Sequence, residues 1–461
     1  MAHILLTHFD DREASGDFPM SVANAYLKSY INTKTDNEAT CYTFLLHNKT
    51  DNLEFWLREV HYKKFALIDD DVLKQYLEAA RNFDLDSYDV EKTRISHYHK
   101  ELGFLKVFID EFSDLGGYNF IGFSCITEIN LLLSVIAARI YKSMYDCKTI
   151  FGGAFFSKES KDFTNNPFVD YLVVGAGFKV INDILLGKVK KGMITDDGFG
   201  IHKKSIVDIV PDYSDQFENG FTFPIMFQDG CDCRCAYCTW SKFDTGINYY
   251  GSPEETAELI LNLKKKYNAD RFHFFNNYLN INPEFTARFA KHLIRKEANI
   301  KFSSYIRPTT LDSDLLDIMA RSGLEEVSLG VENFNDDLMR KLGRKQDTKN
   351  LIEKIKMIRD KGISVTSSYM TNIPGEDDEI FKENLAQVKE LKKHSTVRIS
   401  IFRLLRDSMI FKNPRRYGIK KIYSLMSQFG YVKQFIYDTE DMGWKDVKKQ
   451  AIARKKILES L

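Results

Sequence analysis

The chain has 461 residues, 44% of them hydrophobic, and its 65 basic and 65 acidic side chains cancel to a formal charge of zero. That length exceeds one ordinary core and points to two domains with a small appendage, while the charge balance excludes a globally basic or acidic surface for nucleic acid or an anionic membrane. No stretch reaches the roughly 20 apolar residues of a membrane helix, and the start Met-Ala-His-Ile-Leu-Leu-Thr lacks the basic and apolar regions of a secretory leader.

Seven cysteines, an odd number concentrated at one place, do not form a disulfide framework. The expectation is a cytoplasmic protein in a reducing compartment, with no membrane partner and no nucleic-acid partner.

In chain order, Ile4 to Leu6 reads as a short strand. The acidic run Asp69-Asp70-Asp71 reads as the start of a helix over Val72 to Ala80 rather than a metal site. Tyr118 to Ser124 is a strand followed by the apolar helix Ile129 to Tyr141. Thr149 to Phe151 and Tyr171 to Val174 are further strands, trailed by Gly152-Gly153 and by Gly175-Ala176-Gly177. Glycines just past strand ends let a ligand or another backbone approach, and doubly wound sheets bind ligands along that edge. The fragment Gly175-x-Gly177 alone is too short to specify a nucleotide. Linkers are expected near Asp196 to Gly200 and near Asn413 to Gly418.

Six strands follow, at Phe223 to Phe227, Arg271 to Phe275, Lys301 to Tyr305, Glu326 to Gly330, Ile363 to Tyr369 and Thr396 to Phe402. Between them lie amphipathic stretches such as Pro253 to Tyr267 and Leu311 to Ser322, the second capped by Asp312 or Ser313 and stopped at Gly323. Repeated βα units force parallel strands with right-handed crossovers, and in barrels of this kind the loops at the carboxyl ends of strands carry the chemistry. The tail from Phe411 to Leu461 is locally basic, with twelve Lys and Arg against five Asp and Glu. Its helical pattern from Trp444 to Leu461 is read as packing against the barrel with a solvated face.

Directly after the first of those six strands comes Gly230-Cys-Asp-Cys-Arg-Cys-Ala-Tyr-Cys-Thr-Trp, in which Cys231, Cys235 and Cys238 are spaced C-x3-C-x2-C. One short loop of that spacing presents three thiolates, the donors that iron-sulfur centres prefer, and leaves a fourth iron open to a small molecule. Cys233 is read as a bystander. A zinc site and three buried structural thiols are the other readings. A zinc ribbon wants a second Cys or His pair, yet no Cys follows Cys238, and His273, His292 and His394 stand singly.

With Tyr237 just before its last cysteine, the motif resembles that of the radical S-adenosylmethionine (SAM) superfamily. The resemblance implies a 4Fe-4S cluster on Cys231, Cys235 and Cys238 whose unique iron is chelated by SAM. One electron, from a donor such as flavodoxin or ferredoxin, then cleaves SAM to methionine and a 5'-deoxyadenosyl radical that abstracts a substrate hydrogen. The resemblance extends to later strand ends. Asn276 and Asn277 stand where the family holds the methionine amino group, and Arg307 is placed to pair with the methionine carboxylate. Gly330-Val331-Glu332-Asn333 resembles the family's Gly-x-Glu-Ser element, with Glu332 toward the ribose. Asn372-Ile373-Pro374-Gly375-Glu376-Asp377 resembles its Gly-x-Pro-Gly-Glu turn on the adenine side, with Asn372 in place of the first glycine. Each has a plainer reading: turn chemistry for the asparagines, a solvated Arg307, and a tight turn at Pro374-Gly375 into a helix capped by Asp377.

Upstream, the run from Ile121-Gly-Phe-Ser through Gly152-Gly153 to Val169-Asp-Tyr resembles the cobalamin-binding domain that precedes many radical SAM barrels. Domains that ligate cobalt carry Asp-x-His-x-x-Gly, and none of the ten histidines lies in that pattern. Cobalamin then binds without a protein histidine, or the domain is a scaffold that docks substrate. The expected architecture is α/β: a doubly wound, Rossmann-like domain over 1–205, a partial (β/α)6 radical SAM TIM barrel over 206–408, and a small C-terminal helical region over 409–461. The expected function is hydrogen abstraction from an unactivated carbon, of a ribosomally made peptide or a small molecule, with C-methylation first. Epimerisation or another cobalamin-independent rearrangement is the second version, although no thiol after Cys238 is available to return a hydrogen atom. A non-catalytic, metal-stabilised binding protein is the reading from a different class.

Overall fold

A computed structural model of the chain describes residues 1–10, 21–45, 63–84, 96–175, 177–196, 209–216, 222–239, 247–344, 346–406, 408–426 and 432–461. They fall into two compact units, described residues up to 216 in the first and those from 222 onward in the second.

The first unit is built on six parallel strands, β1 (His3–Asp10), β2 (Glu38–Leu45), β3 (Phe120–Ser124), β4 (Lys148–Gly152), β5 (Tyr171–Gly175) and β6 (Gly192–Asp196). They lie in the order β2-β1-β3-β4-β5-β6, so the chain winds outward from β1 in one direction and then the other. The central strands are apolar on both faces, with Ile121, Phe123, Phe151, Leu172 and Val173 buried, as expected of a parallel sheet covered by helices on both sides. The helix Glu128–Met144 starts with a capping box between Thr127 and Asn130 and buries Leu131 through Tyr141. Asp69 caps the helix Asp70–Arg81 by accepting from the Asp71 amide, which confirms the acidic run as a helix start. The strands β2 and β6 were absent from the sequence reading; β2 mixes Glu, Thr and Cys with apolar residues, and β6 is a short edge strand opened by glycine.

The second unit holds β7 (Phe223–Ile225), an antiparallel pair β8 (Gln228–Asp229) and β9 (Asn248–Tyr249), then β10 (Arg271–Phe274), β11 (Lys301–Ile306), β12 (Leu324–Glu332), β13 (Ser364–Thr371) and β14 (Thr396–Ile401). Six of these form one parallel sheet in the order β7-β10-β11-β12-β13-β14, the succession expected from repeated βα units. Along β12, Val327, Leu329 and Val331 are buried while Ser328, Gly330 and Glu332 alternate on the other face. The helix Pro253–Tyr267 carries a Ser252/Glu255 capping box with proline in its first turn. Asp312, not Ser313, caps the helix Ser313–Arg321. That helix stops at Gly323, whose φ of +112° and an ideal Cβ only 2.1 Å from the Ile300 carbonyl admit no side chain.

The tail contains more than the expected helix. A hairpin, β15 (Ile419–Met426) with β16 (Val432–Thr439), precedes the helix Trp444–Ser460. Asn413 to Gly418, expected as a linker, continues a short helix Met409–Lys412 into a turn of 3-10 helix over Pro414–Tyr417. The other expected linker lies mostly at 197–200, outside the described residues. No described helix is long and apolar enough to cross a membrane.

Candidate active site

The cysteine loop leaves the sheet at the carboxyl end of β7, with Gly230 at φ +83°. Its backbone is pinned on two sides at Ala236. The Ala236 N–H donates to the Leu342 carbonyl at 2.7 Å, and its carbonyl accepts from the Ile410 N–H at 3.0 Å. Gly343 makes this approach possible, because its φ is +70° and a Cβ there would lie 2.5 Å from the Arg234 carbonyl. Within the loop, the Cys238 N–H donates to the Cys235 carbonyl at 3.0 Å.

Two of the predicted SAM-side asparagines brace this loop. Asn276 is buried and accepts from the Phe227 N–H at 3.3 Å, and Asn277 donates through Nδ2 to the Gly230 carbonyl at 2.5 Å. Both lie in the bend that follows β10, and neither has a positive φ. Gln228 joins them, its Nε2 donating to the same Gly230 carbonyl at 2.9 Å. The neighbouring Tyr278 hydroxyl donates to Asp232.

Cys235 is buried, while Cys231 and Cys238 are half-buried. Cys233, read from sequence as a bystander, lies beside its neighbours. Its N–H points at the Cys231 sulfur at 3.4 Å, and the Cys231, Asp232 and Cys233 ligand atoms lie within 4.8 Å of one another. Hydrogen bonding from Cys233 holds the Cys231 thiol below its ordinary value. The bond to Cys231, helped by burial, pushes Cys233 up to about 12. Cys235 is raised by its bond with Cys233 and then by burial. Among the described residues, the ligand atoms that come this close are two thiols and a carboxylate, those of Cys231, Cys233 and Asp232, and the four cysteines of this one pinned loop are donors of the kind that an iron-sulfur centre prefers.

Arg307, at the end of β11, has its backbone clamped by Asn280, which accepts from the Arg307 N–H and donates to its carbonyl, both at 2.8 Å. Its guanidinium is directed at the Cys233 sulfur. It lines a pocket with Pro308, Thr309, Arg344, Gln346 and Lys354.

The sequence reading missed Arg344. Its guanidinium donates to the Tyr237 hydroxyl at 3.3 Å and to the Gly330 carbonyl, and lies 3.9 Å from Glu332. Gln346 accepts from Arg344 Nε at 2.7 Å and donates to the Val331 and Asn333 carbonyls at 2.7 and 3.1 Å. Glu332 sits at a register shift at the end of β12 with φ +62°, and burial raises its carboxyl above the ordinary value against the pull of Arg344. The only sequence signal for Arg344 is a cation in a short loop directly after a glycine.

At the end of β13, Asn372 has φ +59°, so asparagine occupies the left-handed conformation that the family's glycine supplies. Its side chain is turned to the Val447 carbonyl, 3.4 Å away, and to Arg454. Ile373, Pro374 and Gly375 complete the turn, closed by the Glu376 N–H to the Ile373 carbonyl at 2.8 Å, and Asp377 caps the following helix.

In the first unit, Gly153 (φ +103°) at the end of β4 meets Cys125, and Gly175 and Gly177 take φ of +120° and +81° at the start of the next helix. These loops follow the carboxyl ends of β4 and β5, one and two strands beyond β3 from the place where the strand order reverses, between β1 and β3, and doubly wound folds hold ligands along that edge. His8 is buried, with Nδ1 3.4 Å from the Ser124 carbonyl.

Residues 225–388 match the Radical SAM superfamily. Curated relatives include the heme chaperone HemW of Lactococcus lactis, 26% identical over 125 residues covering 27% of this chain and 32% of that protein. The anaerobic magnesium-protoporphyrin IX monomethyl ester cyclase of Synechocystis is 20% identical over 296 residues, 58% of each chain. The chain therefore spans between about a third and three fifths of these relatives' length. Among solved structures, the radical SAM methyltransferase TsrM from Kitasatospora setae, with cobalamin and a 4Fe-4S cluster bound, superposes with a TM-score of 0.64 at 12% identity, covering 99% of this chain and 91% of that one. The cobalamin-dependent radical SAM enzyme OxsB gives a TM-score of 0.60 at 12% identity over 98% and 66%. The match over residues 225–388 implies a 4Fe-4S cluster and SAM for that domain. The likeness to TsrM and OxsB shows the fold, a Rossmann-like domain followed by a radical SAM barrel.

Proposed function

We propose that the chain is a cobalamin-using radical SAM enzyme that methylates an unactivated carbon of an organic substrate. The observation that carries this reading is the three-cysteine loop pinned through both backbone groups of Ala236, with the half-buried Arg344 and Glu332 beside it at the end of β12. When bound, the cluster and SAM supply hydrogen abstraction, and cobalamin supplies the methyl carrier.

Cys231, Cys235 and Cys238 hold the iron. Arg344 and Arg307 offer guanidinium groups to the methionine carboxylate, and Glu332 accepts from ribose hydroxyls. Tyr237 steers Arg344, while Asn276 and Asn277 fix the backbone of the cysteine loop. Asn372, Pro374 and Gly375 shape the adenine side through backbone conformation. In the first unit, the glycine-bearing strand ends receive the corrinoid without a protein histidine, since none of the ten histidines lies in the cobalt-ligating pattern. The TsrM complex with tryptophan and a SAM analogue favours a small-molecule substrate over the ribosomal peptide expected from sequence. The electron donor is a flavodoxin or ferredoxin, and the location is cytoplasmic.

The test is anaerobic purification and reconstitution, followed by iron and sulfide analysis and by dithionite with SAM. Wild type is expected to yield 5'-deoxyadenosine, and replacement of all three cysteines by alanine to abolish both iron and yield. Iron that persists in the triple variant would sink the cluster assignment. A first unit that stays colourless after incubation with hydroxocobalamin would remove methyl transfer through cobalamin and leave a cobalamin-independent rearrangement.

A further inference from the structure

The helix Trp444–Ser460 buries Val447, Ala451, Arg454 and Leu458. These positions recur at the spacing of a single helix face, the stripe that normally holds apolar residues against a core. A guanidinium in that stripe is out of place unless something inside requires it, since an unpaired buried charge is expensive. Arg454 has its side chain 4% exposed and faces the Glu376 carboxylate, 0% exposed, at 3.4 Å. Its Nη1 also donates to the Glu376 carbonyl at 3.0 Å and to Asn372 Oδ1 at 3.4 Å, its Nη2 donates to Asp378 at 2.6 Å, and the guanidinium lies 4.9 Å from the Phe381 ring centre.

The contacts continue inward. Glu376 accepts from the Asn372 N–H, from Thr371 Oγ1 at 3.2 Å and from Asn333 Nδ2 at 2.9 Å. Asn333, fully buried, also accepts from Asn384 Nδ2 at 2.9 Å, and its carbonyl accepts from Gln346 Nε2 at 3.1 Å. Gln346 in turn accepts from Arg344 Nε at 2.7 Å. A continuous run of polar groups, buried from Arg454 through Glu376 to Asn333 and half-buried at Gln346 and Arg344, therefore joins the C-terminal helix to the ends of β12 and β13, and ends on the cation beside the cysteine loop.

We propose that Arg454 is a positioning residue for SAM: the C-terminal helix sets the strand ends, and through Asn333 and Gln346 the orientation of Arg344, that receive it. The proposal rests on the radical SAM reading above. Networks of this kind are felt as a unit, because each partner left unsatisfied displaces the next.

The test uses full-length, cluster-reconstituted protein and SAM without reductant, with affinity read by calorimetry and the cluster read by iron content. Arg454→Ala is expected to weaken SAM at least tenfold with iron content unchanged. Arg454→Lys, which keeps the charge without the two-pronged contacts, is expected to recover part of that loss. Leu458→Ala, an apolar truncation on the same helix face, serves as the control: it is expected to lower the melting temperature and leave SAM affinity within twofold of wild type. If Leu458→Ala weakens SAM as much as Arg454→Ala, or if Arg454→Ala binds like wild type, the helix only stabilises the fold and the proposal is overturned. Failure of wild type itself to bind SAM would overturn the radical SAM reading with it, and so is distinguishable from failure at Arg454 alone.

Discussion

Arg344 and Glu332 illustrate how a side chain is made useful by what surrounds it. Desolvation of the half-buried Glu332 favours its neutral form, while Arg344 beside it favours the carboxylate, and the net effect is a raised value. Arg344 is fixed by Tyr237, Gly330 and Gln346, a planar set of contacts that a lysine does not reproduce. Arg344→Lys is expected to weaken SAM tenfold or more, about 1.4 kcal/mol or above, with iron content preserved; calorimetry against wild type checks it. His273 gives a prediction about stability. Burial lowers it from 6.5 to about 4, and its Nδ1 is 2.7 Å from Ser303 Oγ. A histidine held neutral in this way contributes stability that is complete above the unfolded value of 6.5 and is lost as pH falls through 6.5 toward 4. In cluster-free protein, His273→Gln is expected to lose about 2 kcal/mol less than wild type between pH 7.5 and 5. Parallel denaturant curves at the two pH values decide it, and equal losses would remove His273 from the account.

At the scale of elements, the site depends on where strands end and what the next loop touches. The register shift between Gly330 and Glu332 at the end of β12 accompanies a left-handed backbone at Glu332, where the strand ends. The cysteine loop is held by the loop after the helix Asp336–Lys341 and by the start of the helix Met409–Lys412, both distant in sequence. Gly343 is the narrowest point of that contact. Gly343→Ala combines a strained φ with a Cβ 2.5 Å from the Arg234 carbonyl, so the loop must shift. The expected result is a loss of about 1–3 kcal/mol together with iron retention well below wild type after gel filtration. Full iron retention would show that the loop tolerates the displacement. Most of these elements were legible in the sequence: all six strands of the second sheet, the Pro253–Tyr267 helix and the helix after Asp69 lie within a few residues of their expected places. The hairpin of β15 and β16 was not. Its residues alternate weakly, and β15 is mostly exposed, so periodicity carried little signal.

At the scale of the whole molecule, the two units have separate hydrophobic clusters, one including Phe9, Phe123, Phe151 and Leu172, another including Ala236, Leu342, Phe402 and Val447. A ligand that binds one unit raises the stability of whatever unfolds together with that unit. Calorimetry is expected to resolve two thermal transitions, with hydroxocobalamin raising one and SAM with the intact cluster raising the other. A single transition moved equally by both would show that the units unfold together.

The six strands of the second sheet, the cysteine spacing and the helix stop at Gly323 were determined by sequence alone, because periodicity, turn chemistry and ligand spacing are local properties of a chain. The convergence of Arg344, Glu332 and Tyr237, the company that Cys233 keeps, and the entry of Arg454 into the strand ends of β12 and β13 were decided only by tertiary structure. Of these side chains, partners that touch are separated by as many as 107 positions, as between Tyr237 and Arg344, and no local rule reports which charge the fold will bury against which partner.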